Sequence, residues 1–281
     1  MLRSQDPSPT PPHKGEGLHL PPHAFLCACS VALGHIPLAP PPVYRDARHP
    51  RGPLRLQITF DRAEVRYGTA MALHPLTLTL TERRIGVIGL NGSGKTTFAR
   101  LINGLVKPSA GTVSLDGLDT VKDDKAVLSK AGFIFQNPAN QIILPIIRDD
   151  IAFGPKSRGL KGGALDRAVN AVLERFGITH LAGRRPHELS GGELQLAALS
   201  AVVVTEPELV IFDEPTNQLD LKNRAMVKDA IDGLAQQAIV ISHDLDLVAD
   251  FGRVLVFHQG RIAFDGNAPE AIARYREVAL S

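Results

Sequence analysis

A glycine-rich segment carries the most specific chemistry in this 281-residue chain. Residues 89–97 read GLNGSGKTT and fit the spacing G-x-x-x-x-G-K-[ST]. Glycines allow backbone N–H groups to turn inward around phosphates, Lys95 is expected to reach the β- and γ-phosphates, and the Thr96 hydroxyl is expected to ligate Mg²⁺. The segment therefore predicts a nucleoside triphosphate site. Its expected contacts are Asn91, Gly92, Ser93, Gly94, Lys95, Thr96 and Thr97.

Two adjacent carboxylates follow a second apolar run, ELVIF at residues 208–212. An acidic residue at the end of a buried strand beside a phosphate loop is the expected second Mg²⁺ holder, which we assign to Asp213. Glu214 stands one residue further on, where a carboxylate can orient or deprotonate the attacking water. An isolated Asp-Glu pair would instead favour a solvated turn. The strand before this pair and the segment PTN after it favour the catalytic interpretation.

The elements that must position these side chains alternate between strands and helices, so we predict an α/β fold. The apolar run at 84–88 predicts a buried strand that leads into the glycine-rich loop, and 97–102 predicts a helix that follows it. Further predicted elements are antiparallel strands at 54–60 and 76–80, an amphipathic helix at 164–176, apolar strands at 202–204, 209–212 and 238–241, and a hairpin of 254–258 and 261–264.

A third motif, LSGGELQ at residues 189–195, stands 95 residues beyond Lys95 when counted to Ser190. With it, residues 54–275 resemble the ATP-binding-cassette ATPases. The resemblance implies a parallel β-sheet core bearing the phosphate loop, an antiparallel β subdomain, and an α-helical signature subdomain at about 137–200. It also implies ATP and Mg²⁺ as ligands. In that family Ser190, Gly191, Gly192 and Glu193 belong to the segment that caps the γ-phosphate held by a second cassette, and Glu193 stands where many members have glutamine.

The same resemblance assigns roles to residues outside the three motifs. His243 in ISHD corresponds to the histidine that contacts and senses the γ-phosphate. Gln136 in FIFQNP corresponds to the glutamine that touches Mg²⁺ or the water and relays nucleotide state to a membrane partner. Leu219 and Asp220 correspond to the loop that crosses the dimer seam. Tyr67 stands where the family places an aromatic on adenine, and an ordinary strand residue is the alternative for it.

Spacing and composition restrict the kind of cassette. The distance from Lys95 to Ser190 leaves no room for a long coiled-coil insertion, and one phosphate loop with one signature indicates a single cassette. No run approaches about 18 consecutive apolar residues, so no membrane span is predicted. We expect a cassette on the cytoplasmic face of the plasma membrane that pairs with a second cassette, either identical or a paralogue. A net charge of +2 predicts no nucleic-acid partner.

The segments FQNPANQ (135–141) and DDIAFGP (149–155) resemble cassettes of energy-coupling-factor importers, which take up vitamins and transition-metal ions. The implied partners are a transmembrane scaffold subunit and a small substrate-binding membrane subunit, with Asp149 and Asp150 as candidates for pairing with scaffold arginines. Segments 81–89 and 219–224 favour the biotin branch. A cobalt or nickel importer is the nearest alternative, and a soluble ATP-dependent switch acting on ribosomes or DNA is the alternative from another class.

Residues 1–53 differ in composition from the rest of the chain. They hold most of the prolines and five of the ten histidines, and they show almost no hydrophobic periodicity. We expect this segment to be disordered or to precede a true start near Leu54. Metal binding and a lipoprotein-like cleavage site near Cys27 and Cys29 are weaker alternatives, and this cysteine pair outside the cassette is compatible with a reducing cytoplasm. Residues 276–281 are expected to form a C-terminal tail.

Overall fold

The computed structural model describes residues 56–280, and the first of its two sheets is antiparallel. Its strands are β1 (Ile58–Tyr67), β2 (Ala70–Leu80), β4 (Ala110–Leu115) and β5 (Leu118–Asp119), in the order β2-β1-β4-β5. The pairing of β1 with β2 runs from Ile58 opposite Leu80 to Tyr67 opposite Ala70. Both strands predicted for this subdomain are therefore present and extend further toward their shared turn than expected. Residues 54 and 55 lie outside the described range.

The second sheet is mostly parallel and forms the core. Its strands are β3 (Arg84–Gly89), β6 (Ala131–Ile134), β7 (Leu209–Asp213), β8 (Gln237–Ile241), β9 (Arg253–His258) and β10 (Arg261–Gly266), in the order β10-β9-β3-β8-β7-β6. Only the final hairpin, β9 with β10, is antiparallel. Because β3 and β7 flank β8 in parallel, the residues that follow these three strands meet at one edge of the sheet, where α/β folds bind ligands.

Helices cover this sheet and build a separate helical layer. They are α1 (Lys95–Ile102), α2 (Asp124–Lys130), α3 (Ile147–Ser157), α4 (Gly162–Arg175), α5 (Gly191–Val203), α6 (Leu221–Asp232), α7 (Leu245–Val248) and α8 (Ala268–Leu280). Helices α3, α4 and α5 pack on one another in the region predicted as the helical subdomain. Across residues 56–280, no helix is long and apolar enough to span a membrane.

The two faces of the parallel sheet bury two hydrophobic clusters. One joins the sheet to the helical layer and to α6–α8, and the other joins it to α1 and the antiparallel sheet. In the second cluster the ring of Phe98 on α1 lies 4.9 Å from the ring of Phe60 on β1 and 5.0 Å from that of Phe257 on β9. These contacts hold the helix that follows the phosphate loop against both sheets, which fixes where the loop points.

Two predicted elements are wrong. Residues 202–204 do not form a strand, because α5 runs to Val203 and Val204 caps it. The helix is apolar on nearly all sides, with Leu196, Ala198 and Leu199 all buried, and a short apolar run of this kind does not distinguish a buried helix from a strand. Residues 276–280 also do not form a separate tail, because they continue α8.

Candidate functional site

The loop between β3 and α1 has the shape of an anion-binding loop. Gly94, which immediately precedes α1, has a left-handed φ of 102°, and a Cβ atom there would lie 2.8 Å from the carbonyl oxygen of Ala72. The Ser93 N–H donates to the Leu90 carbonyl at 3.2 Å, and the Gly260 N–H donates to the Ser93 carbonyl at 3.0 Å. Glycine is therefore required for the loop to turn into the helix at this close approach.

The start of α1 supplies backbone donors for such an anion. Its first helical hydrogen bond runs from the Phe98 N–H to the Gly94 carbonyl at 2.9 Å, so the N–H groups of Lys95, Thr96 and Thr97 have no acceptor within the helix. The Ser93 side chain is 3% exposed, and its hydroxyl has no partner within residues 56–280. Unpartnered donors at a helix N-terminus fit a phosphate group.

Lys95 places a positive charge inside this loop. Its Nζ donates to the carbonyl oxygens of Gly89 at 2.8 Å and Leu90 at 3.0 Å, and the residue is 6% exposed. Burial lowers the pKa of Lys95, while the nearby carboxylates of Glu214 and Asp213 oppose this effect. An anionic ligand would offset the cost of holding this ammonium group away from water.

Thr96 and Asp213 form the pair that the sequence predicts for Mg²⁺. The Thr96 hydroxyl donates to Asp213 Oδ1 at 3.0 Å, across from the helix start to the end of β7. Asp213 is buried, and this burial raises its pKa, with the Thr96 hydrogen bond acting in the opposite direction. A hydroxyl and a carboxylate side by side are oxygen ligands that suit a hard divalent cation, whose charge would stabilise the buried carboxylate.

Glu214 and His243 form a second pair at the same sheet edge. His243 Nδ1 lies 2.6 Å from Glu214 Oε2, and the His243 backbone N–H donates to the same oxygen at 3.1 Å. The Glu214 backbone has a left-handed φ of 56°, which is a strained conformation for a non-glycine residue, and strain of this kind clusters at functional sites. The carboxylate is thus held at a fixed position next to the phosphate loop.

These groups surround one cleft of ≈ 530 Å³. Its walls are Ala72, Gly89, Leu90, Asn91, Gly92, Ser93, Gly94, Lys95, Thr96, Thr97, Gln136, Glu214, Asn217, His243 and Tyr275. The structure therefore brings Gln136 and His243, which are distant in sequence, to the predicted phosphate loop. Asp213 does not line the cleft and reaches it through Thr96.

Sequence reasoning missed several wall residues. Ala72 and Tyr275 come from β2 and α8, where no local pattern marks a ligand site, whereas Asn217 stands in the PTN segment that was already noted after Glu214. Tyr67, the predicted adenine contact, lies at the end of β1 with 55% of its surface exposed and outside the cleft wall. Its assignment stays a prediction.

The signature segment, LSGGELQ at residues 189–195, lies apart from this cleft. Ser190 caps α5, and its hydroxyl oxygen accepts from the Glu193 N–H at 3.4 Å. Gly192 is buried against Asn223 of α6, so the start of α5 is packed against the start of α6. Because Ser190, Gly191, Gly192 and Glu193 are all absent from the cleft wall, a single chain does not bring the signature to the phosphate loop.

The loop before α6 is linked to the loop that carries His243. The Arg224 Nε donates to the Leu219 carbonyl at 2.9 Å, and its guanidinium lies 3.5 Å from the Asp244 carboxylate. Asp220 caps α6 by accepting from the Asn223 N–H at 2.8 Å. The loop of Leu219 and Asp220, which is predicted to cross the dimer seam, is therefore tied to Arg224 by its Leu219 carbonyl and to the start of α6 by the Asp220 side chain.

One residue predicted to meet a partner subunit also makes hydrogen bonds within the chain. The Asp150 carboxylate accepts from the N–H groups of Ile143 at 2.8 Å and Leu144 at 2.9 Å, and the residue is buried. Burial raises its pKa, with these two hydrogen bonds acting in the opposite direction. Both bonds end on Oδ1, which closes the turn before α3, and the pairing of Asp150 with arginines of another subunit stays a prediction. Asp149 is exposed and remains a candidate.

Comparisons with known proteins agree with this arrangement. The family model described as ABC transporter matches residues 73–217. The biotin transport ATP-binding protein BioM of Rhizobium etli is 62% identical over 224 residues, which cover 80% of this chain and all of that protein. The cobalt import ATP-binding protein CbiO of Syntrophus aciditrophicus is 40% identical over 71% of this chain and 73% of its own length.

A solved structure gives the same result for the fold. CbiO1 from Clostridium perfringens, part of the ABC transporter complex CbiONQ, superposes with a TM-score of 0.70 at 28% identity. The match covers 79% of this chain and 94% of that one. The predicted arrangement of a parallel core, an antiparallel subdomain and a helical subdomain is confirmed.

Proposed function

Because this chain belongs to the ATP-binding-cassette transporter family, whose members hydrolyse ATP to power transport, we propose that it energises an energy-coupling-factor importer whose cargo is biotin. The observation that carries the biotin assignment is the 62% identity to a biotin transport subunit along that protein's whole length, against 40% to a cobalt import subunit. A cobalt or nickel importer is the second candidate, supported by the similarity to CbiO1.

The chemistry proposed for the cleft follows from its fixed groups. Lys95 and the N–H groups at the start of α1 would bind the β- and γ-phosphates and stabilise the charge of the transferring group. In hydrolysis the water oxygen bonds to the γ-phosphorus, the bond from that phosphorus to the bridging oxygen of ADP breaks, and Glu214 orients the water and takes its proton. His243 would hold Glu214 and contact the γ-phosphate, and Gln136, which also lines the cleft, would contact the water.

Mg²⁺ is proposed as the metal of this site, held by Thr96 and Asp213 with Gln136 nearby. Mg²⁺ takes few protein ligands and shares its coordination sphere with substrate phosphates and water, which is compatible with this small donor set. When bound, it supplies charge neutralisation at the β- and γ-phosphates.

A second copy of the chain is proposed to complete each site. Ser190, Gly191 and Gly192 begin a helix, as an anion site does, but they lie apart from the cleft of their own chain. One chain carries a phosphate loop, a catalytic carboxylate and a signature, so two identical copies arranged head to tail would form two equivalent ATP sites. Tyr67, exposed at the end of β1, is proposed to stack on adenine.

Membrane subunits are the remaining proposed partners. The segment from Gln136 to the end of α3 exposes Ile143, with 47% of its surface accessible, and Phe153, with 36%. Asp149, in the first turn of α3, is also exposed. We assign this surface to a transmembrane scaffold subunit, which would join the cassettes to a small substrate-binding subunit and hold them at the cytoplasmic face of the plasma membrane.

Affinity purification from detergent-solubilised native membranes tests this proposal, with the co-purifying proteins identified by mass spectrometry. A scaffold subunit and a small membrane protein that binds biotin are the expected partners. A small membrane protein that binds cobalt or nickel would show that the cargo is a metal ion and not biotin, and would still support an importer function. Recovery only from the soluble fraction, with ribosomal proteins or nucleic acid, would contradict the transport function.

A further inference from the structure

The hydroxyl of Ser190 is already committed inside its own chain. It donates to Glu193 Oε2 at 2.7 Å, and the Ser190 backbone N–H donates to the same oxygen at 2.8 Å. The Glu193 N–H returns a bond to the hydroxyl oxygen at 3.4 Å. The two bonds that involve a backbone N–H form a capping box. The bond from the Ser190 hydroxyl to the Glu193 carboxylate is additional and is not required by a capping box.

This addition changes what Ser190 can offer to a phosphate. A hydroxyl has one hydrogen, and here a carboxylate holds it at the short distance typical of a charge-assisted bond. What remains of Ser190 for an incoming ligand is an oxygen lone pair, which repels an anion. The backbone donors are still available, because the first helical bond runs from the Leu194 N–H to the Ser190 carbonyl at 2.9 Å and leaves the N–H groups of Gly191 and Gly192 without an acceptor in the helix.

The surroundings keep Glu193 ionised. Hydrogen bonds from the Ser190 hydroxyl and N–H, with a smaller contribution from His180, hold the pKa of Glu193 below its ordinary value. His180 Nε2 lies 3.8 Å from Glu193 Oε1, on the side of the carboxylate that faces away from Ser190. Both oxygens are therefore engaged, one by the serine and one near the histidine.

We propose that Glu193 is a positioning residue that competes with the γ-phosphate for the Ser190 hydroxyl, and so raises the ATP concentration at which two cassettes close around nucleotide. The inference rests on the proposed sandwich of two copies. When the two cassettes close, the Ser190 hydroxyl must leave the Glu193 carboxylate and turn to the γ-phosphate. Its contact with the γ-phosphate therefore stabilises the closed dimer less than the contact of a serine without such a partner would. A glutamine in this position has no net charge and holds the hydroxyl less strongly.

The test uses the Glu214→Gln chain, which is expected to keep its ATP, and measures the ATP concentration at which half of the protein is dimeric by analytical ultracentrifugation with Mg²⁺. Adding Glu193→Gln is expected to lower this midpoint by about fivefold or more, since a charged acceptor holds a donor more strongly than a neutral one by about 1 kcal/mol. Glu188→Gln is the matched control, because that carboxylate bonds the Arg185 N–H at 3.0 Å in the preceding turn. Its midpoint should not move.

A double-mutant cycle separates competition for the hydroxyl from simple charge repulsion. In a Ser190→Ala chain there is no hydroxyl to compete for, so adding Glu193→Gln should leave the midpoint unchanged. A full gain from Glu193→Gln in that background would overturn the inference, as would an unchanged midpoint in the presence of Ser190. If the Glu214→Gln chain forms no ATP-dependent dimer at all, the sandwich itself fails and the inference fails with it.

Discussion

Replacement of Glu214 by glutamine is expected to stop ATP turnover while preserving ATP binding. The carboxylate accepts from the His243 backbone N–H at 3.1 Å and contacts His243 Nδ1 at 2.6 Å. A glutamine of the same shape keeps an oxygen for the His243 N–H, so the loop after β7 should stay in place. It cannot accept a proton from water, and only the chemical step should suffer.

The magnitude follows from the role assigned to the carboxylate. A positioned general base contributes about 10²–10⁴-fold to a rate, which corresponds to about 2.7–5.4 kcal/mol of barrier height. We therefore expect kcat to fall by at least about 100-fold. The ATP dissociation constant should not rise, because Lys95 and the N–H groups of α1 are untouched and one negative charge beside the phosphates is removed.

The assay is phosphate release at saturating ATP, combined with equilibrium binding of a fluorescent ATP analogue. Glu208→Gln is the matched control. Glu208 lies immediately before β7, whereas Glu214 lies immediately after it, and the Glu208 carboxylate pairs with Lys130 at 3.4 Å and not with His243. This control should turn over normally. Turnover of Glu214→Gln above about a tenth of the parent rate would refute the assignment of Glu214 as the base, and equal loss of binding and turnover would indicate a structural role.

Three further outcomes are expected. Asp213→Asn should abolish Mg²⁺-dependent hydrolysis yet raise the melting temperature without nucleotide by about 2–4 °C. Because burial raises the pKa of Asp213, the ionised carboxylate destabilises the folded chain once the pH rises above about 3.9. The increase in melting temperature caused by Asp213→Asn should therefore be larger at pH 8 than at pH 4 in thermal unfolding. Gly94→Ala should weaken ATP-analogue binding in a fluorescence titration, since φ is 102° there, with unchanged binding as the contrary result. Arg253→Met should lower the melting temperature at pH 7 because it removes ion pairs with Glu82 and Asp265, worth about 1 kcal/mol each since these carboxylates are 35% and 32% exposed. Burial raises the pKa of Glu82, but hydrogen bonds from Thr81, its own N–H and Arg253 lower this pKa overall. The difference in melting temperature between Arg253→Met and the parent should therefore shrink as the pH falls below about 4.3.

The parts of the site encoded by short contiguous motifs were predictable. The phosphate loop requires glycines and Lys95 within a few residues, and Asp213 and Glu214 follow an apolar strand directly, so sequence spacing alone placed them. The convergence of Gln136 and His243 on the loop followed from the family resemblance. The structure gives its physical reason: Gln136 follows β6 and His243 follows β8, and these strands run parallel with β7 and β3 and end at the same edge of the sheet.

Features that depend on side-chain partners were not predictable. Asp149 and Asp150 look alike in sequence, and only the structure shows that Asp150 Oδ1 accepts hydrogen bonds from the N–H groups of Ile143 and Leu144. Tyr275 reaches the cleft because α8 packs on β9 and β3, a long-range contact without a local pattern. The uniformly apolar end of α5 gave no periodicity that could separate helix from strand.

Uptake of radiolabelled biotin tests the central claim most directly. Cells that depend on this transporter would carry either the parent chain or the Glu214→Gln variant at equal membrane abundance, and uptake of biotin and of Co²⁺ would be measured side by side. Loss of biotin uptake with unchanged Co²⁺ uptake is the predicted result. Normal biotin uptake by the variant would contradict the claim that ATP hydrolysis by this chain powers biotin import.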